Sequence, residues 1–295
     1  MIEGSFNPSA LRSWLFIEGA NEAALRAGPA SDADVLIQEL EDFTPPERRS
    51  HARAISPEVI AGWRAAGVVG AVRVNPLDGD GMADLTAIMR GGPDIVMLPK
   101  TATPAHIVTL ASEITRLEAA YGLSRGATRI VPNIEQAAGL LQTFAICQSS
   151  ARVAGCLVAS EDMAADLGAE RGPDGRELAF VRERFHVECV AAGVVSIDCP
   201  YTWTDEAGVE AETKHARRLG YTAKSAVNAA HPRAINRILT PSNDEVAKAR
   251  RIVVAFEATR ESGQARAEVD GSLVEVPIYL NAKRLLARAA LFQDG

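Results

Sequence analysis

The sequence predicts a (β/α)8 barrel, and three observations predict it. Eight short runs rich in Val, Ile and Leu recur between residues 13 and 228. They are near-continuously apolar, as strands covered on both faces are. Helical patterns separate each run from the next, the alternation that builds a closed parallel sheet. A doubly wound open sheet is the rival fold. It lacks its phosphate-binding signatures here: no G-x-G-x-x-G follows the first run and no G-x-x-x-x-G-K-[ST] occurs. GDGMAD (79–84) has only two of the glycines and follows the third run.

In chain order the expected strands are SWLFI (13–17), ADVLIQEL (33–40), GAVRVN (70–75), DIVMLP (94–99), TRIVPNIE (128–135), RVAGCLVA (152–159), GVVSIDC (193–199) and TAKSAVN (222–228). Ser56-Pro57 and Thr103-Pro104 each read as a helix N-cap followed by Pro at the first helical position. Ile107, Leu110, Ile114, Leu117 and Tyr121 make one apolar stripe, which Gly122 ends. Residues 136–148, 177–192 and 205–219 read as helices, with Gly220 as a further stop. Ser242-Asn243-Asp244-Glu245 has capping-box form and opens a helix to about residue 261. No linker divides residues 11–262, so residues 1–262 are expected to form one barrel domain. Residues 263–295 break the alternation. They read as an appended lid or oligomerisation segment: a hinge at ESGQA (261–265), a hairpin around Asp270-Gly271 and a helix from Leu280.

Composition narrows the function classes. The 295 residues are 47% hydrophobic and 23% charged, an ordinary globular balance. A formal charge of −7 without any run of Lys and Arg argues against a nucleic-acid surface. No apolar stretch approaches membrane-spanning length, and the first residues lack a basic stretch followed by an apolar one, so a cytoplasmic protein is expected. Cys147, Cys156, Cys189 and Cys199 form no C-x-x-C pair, and they read as buried reduced thiols rather than a zinc site.

Active sites of such barrels lie at the C-terminal strand ends. Those ends carry Glu18, then Glu39, Glu41 and Asp42, Arg73 and Asn75, Lys100, Glu135, Glu161 and Asp162, Asp198, and Asn228. Carboxylates this dense repel one another unless cations compensate. Glu135 and Asp162 end neighbouring strands, so they can converge on a Mg²⁺ ion, which takes oxygen ligands and retains water. They can equally pair with an arginine or cap a helix. Arg73 lies among apolar neighbours and needs anions, either a substrate carboxylate or Glu39 and Glu41. Lys100 reads as a Schiff-base lysine or as a neutraliser of the rim. Lys224, inside the eighth run, is expected to pair with a carboxylate. No histidine falls at an expected strand end and no G-x-S-x-G exists, so neither a His base nor a Ser nucleophile is proposed.

Nine segments follow in order: RSWLFIEGA, ELEDFTPPERRSHAR, VRVNP, MLPK, IVPNIEQAAGL, SEDMAADLG, AGVVSIDCPY, ARRLGYTAKSAVN and LTPSNDEVAKA. Together they resemble the citrate lyase β-subunit and malyl-CoA lyase family of the phosphoenolpyruvate/pyruvate-domain superfamily, over roughly residues 11–285. The resemblance implies a barrel that assembles as a homotrimer or hexamer. It also implies Mg²⁺-dependent cleavage or formation of a C–C bond in a small 3-hydroxy acid or its acyl-CoA. It assigns Glu135 and Asp162 to the metal, Arg73 to the substrate carboxylate, and Glu41 and Asp42 to the acidic pair after the second strand. VDGSLVEVP resembles a C-terminal lid motif, with Glu275 where relatives carry Asp. Other departures are Glu18 for a usual Pro, Glu39 for Asp, Ala159 for Gly and Asn228 for a frequent His. The expected site is therefore Arg73, Glu41, Asp42 and Glu275 for catalysis; Arg73, Glu39, Lys100 and Asp198 for substrate; and Glu135 and Asp162 for metal. Two other activities remain open on this site, a thioester hydrolase and a malate-synthase-like condensing enzyme, as does a non-catalytic acyl-binding subunit.

Overall fold

A computed structural model describes residues 6–261 and 266–292. Eight parallel strands close into a barrel in sequence order: β1 (Ser13–Glu18), β2 (Val35–Glu39), β3 (Val69–Arg73), β4 (Ile95–Leu98), β5 (Arg129–Ile134), β6 (Gly155–Val158), β7 (Val195–Asp198) and β8 (Ala223–Ala226). Each expected run overlaps one of them, with β1 reaching one residue past its run and β3 starting one residue before its own. Side chains alternate across the sheet. Phe16, Ile37, Ala71, Met97, Val131, Leu157, Ile197 and Ala223 fill the lumen as one apolar cluster. Val72, Val96, Ile130, Cys156 and their neighbours form a second cluster beneath the surrounding helices. Burying both faces is what favours β-branched, continuously apolar strands over an alternating pattern.

The same parity decides where polar residues go. Glu39 and Arg73 are register partners on β2 and β3, so both point into the lumen at its C-terminal mouth. Asp198 and Lys224 are register partners on β7 and β8. They face outward, where Asp198 meets Arg182 at 2.9 Å and Lys224 at 2.6 Å.

Three expectations change at the helices. The helix expected to begin at Ser56-Pro57 begins at Arg49 and runs to Ala65, with Pro57 inside it. Ser56 does not cap; its Oγ donates back to the Ala52 carbonyl at 2.8 Å. Residues 136–148 form two short helices, Ala137–Leu140 and Thr143–Gln148, in place of one. The C-terminal helix starts at Val276 rather than Leu280. Thr103 occupies the N-cap position without a side-chain cap bond, Pro104 opens the helix Pro104–Ala120, and Gly122 adopts φ 69° just past its end.

The chain divides into two compact units, one through Leu239 and one from Thr240. The second unit thus includes the helix Asn243–Glu261 as well as the segment expected to be appended after 262. Ser242 and Glu245 cap that helix reciprocally. Hairpin strands β9 (Ala267–Val269) and β10 (Ser272–Val274) turn at Asp270 and Gly271, both at positive φ as a type I′ turn requires. Tyr279 of the helix Val276–Ala290 stacks on Phe256 at 4.5 Å and donates to Glu257. The hinge residues 262–265 lie outside the described residues. Among the described residues no helix is long and apolar enough to cross a membrane.

Candidate active site

The C-terminal mouth of the barrel gathers one buried cation and three buried carboxylates. Arg73 ends β3 and is 5% exposed. Its Nε donates to Glu39 at 3.0 Å and its NH1 to Glu135 at 3.2 Å, while NH2 stands 3.4 Å from Glu41. A guanidinium has five N–H groups; two are hydrogen-bonded here, which leaves three. Phe16 and Phe43 pack beside each other on one side of it, 5.0 and 5.9 Å from ring centre to guanidinium carbon. The two rings meet edge to face at 6.2 Å. This arrangement fixes the fork and shields it from water, so its hydrogen bonds act in a low dielectric.

Glu39 accounts for much of that order. Its carboxylate accepts from the backbone N–H of Glu41 at 2.7 Å and of Phe43 at 2.6 Å, as well as from Arg73. It is fully buried. Glu39 was expected to touch substrate; instead it pins the loop after β2 to the arginine, because its acceptor positions face the protein. Thr44 donates to the Glu39 carbonyl and accepts from Gly19 N–H, tying the same loop to β1. A side chain at Gly19 would strike the Glu39 carbonyl oxygen, 2.3 Å from the added carbon.

Glu41 and Lys100 form the next layer. Lys100 Nζ donates to Glu41 at 2.6 Å and lies 3.6 Å from the half-exposed Asp42. Burial weakens the ammonium, but Glu41, Asp42 and Glu135 outweigh it and hold its pKa above the ordinary lysine value. A Schiff-base lysine needs the opposite shift, so the neutralising role fits. Lys100 sits at φ 48°, a left-handed backbone that turns its N–H onto Glu135 at 3.1 Å. Glu41 has the reverse problem. Burial raises its pKa, Arg73 and Lys100 pull it back only in part, and its Oε2 is buried without a hydrogen bond.

Glu135 follows β5 and is wholly buried. Its pKa is pushed up to about 7, first by burial; Arg73 lowers it, and the charges of Glu41 and Asp162 raise it again. Asp162, in the first turn of the helix Glu161–Leu167 after β6, lines a cavity of about 170 Å³ with Arg73, Asp42, Phe16, Phe43, Leu157, Ala159 and Val227. Ser160, which also lines it, has a buried Oγ without a partner. Around this mouth five carboxylates (Glu39, Glu41, Asp42, Glu135, Asp162) face two cations, Arg73 and Lys100. Hard oxygen donors, an orphaned hydroxyl and a carboxyl short of positive charge are what a Mg²⁺ ion relieves, so the residues fit that ion.

Asp198 is not brought to this cavity. It lies behind the barrel wall between two helices, bound to Arg182 at 2.9 Å and Lys224 at 2.6 Å, with Glu212 on the far side of Arg182 at 2.8 Å. Its expected substrate contact is therefore replaced by a closed ion network. The expected carboxylate partner of Lys224 is this same residue. Glu275 belongs to the C-terminal unit, exposed at the N-cap of the helix Val276–Ala290 and making no side-chain cap bond. The aromatic pair on Arg73 escaped the sequence reading. Phe16 sits at a lumen-facing parity on β1, which could have found it; Phe43 lies in a loop without periodic signal.

A family model described as HpcH/HpaI aldolase/citrate lyase matches residues 12–229. The chain is 34% identical to the citrate lyase subunit beta of Escherichia coli (strain K12), over 95% of this chain and 93% of that one. It is 29% identical to a (3S)-malyl-CoA thioesterase of Cereibacter sphaeroides, over 94% of each. Among solved structures it resembles the protein CitE from Mycobacterium tuberculosis in complex with magnesium, acetoacetate and coenzyme A. That match has 25% identity and a TM-score of 0.75 and covers 96% of this chain and 99% of the other.

Proposed function

The chain belongs to the HpcH/HpaI aldolase/citrate lyase family, and from that premise we propose a Mg²⁺-dependent carbon–carbon lyase of aldol or Claisen type. Its substrate is a 3-hydroxy acid or the corresponding CoA thioester. The observation that carries the reading is Arg73, a guanidinium locked among carboxylates and aromatic rings that still lines the cavity with N–H groups to spare. Such a fork suits a substrate carboxylate or a developing enolate oxygen, and it needs no reorganisation when charge appears.

Glu135 and Asp162 would hold the Mg²⁺, which when bound supplies Lewis acidity toward the substrate's oxygens. Arg73 orients the carboxylate, and the rings of Phe16 and Phe43 with Leu157 and Val227 keep water from the carbon that becomes carbanionic. Glu41, whose burial raises its affinity for a proton, exchanges that proton at the enolate carbon, with Lys100 on its other oxygen. Asp42 and Glu275 are the other two acids offered for this step.

A malyl-CoA thioesterase among the relatives favours a second reading, hydrolysis of the thioester on the same site. A panel of malyl-, citramalyl- and citryl-CoA and the free hydroxy acids, with added Mg²⁺, separates the two. Cleavage releases an oxo acid and leaves the shorter thioester intact; hydrolysis releases free thiol. Turnover that survives EDTA, or trapping of the substrate by borohydride, overturns the metal-lyase reading. A homotrimer or hexamer is the assembly proposed with it, read by light scattering.

Two further outcomes follow. Glu275→Gln lowers cleavage or hydrolysis by about tenfold or more, and Glu275→Asp changes the ratio of the two rates; if neither variant moves either rate, Glu275 is a surface residue. The second concerns pH. Glu135 titrates near 7 in the folded protein against an ordinary value of 4.5, so between those values the folded state binds the extra proton. Stability of the metal-free protein therefore falls as pH rises through that window, by up to about 3 kcal/mol. Mg²⁺ should raise Tm more at about pH 8 than at about pH 5, and an equal rise at both would remove Glu135 from the metal site.

A further inference from the structure

Three of the four cysteines, each on a different element, converge behind the barrel wall. Cys147 comes from the helix Thr143–Gln148, Cys156 from β6 and Cys189 from the helix Ala179–Ala192. All three are free and buried, and their sulfurs lie within 4.8 Å of one another. They belong to the apolar cluster between strands and helices. A trivalent centre that keeps a lone pair binds three thiolates as a pyramid; at bonds of about 2.3 Å the sulfurs stand roughly 3.5 Å apart, so sulfurs already within 4.8 Å of one another close on it with modest side-chain shifts. We propose that Cys147, Cys156 and Cys189 form a three-thiolate site for a soft trivalent centre, of which trivalent arsenic is the representative.

Charge selects the valence. Thiolates prefer soft centres. Three thiolates around a monovalent ion leave two negative charges in an apolar core, and around a divalent ion they leave one; a trivalent centre leaves none. The Glu188 carboxylate makes residual negative charge dearer still, since it acts against ionisation of both Cys147 and Cys189. Zinc would also want a fourth ligand, and among the described residues the cluster has three. The reaction balances without an oxidant. Arsenous acid, As(OH)₃, meets three thiols; three As–O and three S–H bonds break, three As–S bonds form and three waters leave, with arsenic trivalent throughout. The neighbouring thiols lower the Cys147 pKa, which makes it the first sulfur to attack.

The site would clamp β6 to both helices. β6 leads directly into Ser160 and Asp162, so the clamp bears on the strand that carries a cavity residue.

The test uses the full chain and sodium arsenite, with no other thiol present. The expected result is one arsenic per chain retained through gel filtration, an X-ray absorption spectrum with a shell of three sulfurs, and a higher Tm. Cys147→Ala and Cys189→Ser each lose the retained arsenic, and Cys199→Ser, which lies outside the trio, keeps it. A shell of two sulfurs, no retained arsenic on the wild-type chain, or retention unchanged in Cys147→Ala would overturn the proposal. The wild-type spectrum decides the matter even if a cysteine variant fails to fold.

Discussion

Asp162→Ala abolishes turnover and leaves the fold in place. Asp162 is half-buried, in the first turn of a short helix, and makes none of the core contacts that hold the barrel. Removing its charge from the helix N-terminus costs about 0.3–1 kcal/mol of stability. Its proposed ion, by contrast, is worth several kcal/mol at the transition state. A loss of about 4 kcal/mol corresponds to a fall in kcat on the order of 10³-fold. Steady-state kinetics with saturating Mg²⁺ beside a thermal melt gives both numbers. A variant that keeps more than about a tenth of wild-type kcat would move the metal elsewhere.

Arg73→Lys is the second large effect. Lysine keeps the charge and loses the planar fork. A single ammonium cannot pack against both aromatic rings and also reach Glu39 and Glu135 in the fixed geometry seen here. For a dicarboxylic substrate kcat/KM is expected to fall on the order of 10²-fold, about 2.7 kcal/mol. Stability falls too, because Glu39 and Glu135 lose a buried partner. The two effects separate by substrate: a monocarboxylic analogue should lose much less in kcat/KM. Equal losses for both substrates would make Arg73 a scaffold residue.

The barrel was legible because its strands are buried twice over. A segment such as IVML at β4 has no polar face to hide and cannot be mistaken for an exposed hairpin. Glu135, Asp162 and Arg73 were legible as strand-end residues for the same reason: a charge next to such a run needs an explanation. Asp198 shows the limit. It ends β7 as Glu39 ends β2, yet its parity turns it outward, and the difference is one residue of register. Lys224 held the missing clue, a lysine on the adjacent strand at the matching position. Pro57 misled in another way. Ser-Pro carries a helix-start signature, but the helix Arg49–Ala65 was already under way and the serine bonded backward instead of forward. The loop that gives Phe43 its place is fixed by hydrogen bonds to one buried carboxylate, a tertiary arrangement that no local pattern announces.

The excess of carboxylates over cations at the cavity mouth has a kinetic consequence. An anionic substrate approaching the metal-free protein meets net repulsion, and repulsion between unscreened charges slows encounter. Binding should therefore be ordered, with the divalent ion entering before the acid, and initial-velocity patterns at varied Mg²⁺ should show that sequence. Ionic strength then acts with different strength on the two loading states. Added salt speeds capture of an anionic ligand most for the metal-free protein, where it screens the larger repulsion, and much less once the ion has offset most of the excess charge. On the proposed metal site, the acidic rim would act as a kinetic filter that favours the organic acid only after its counter-charge has arrived.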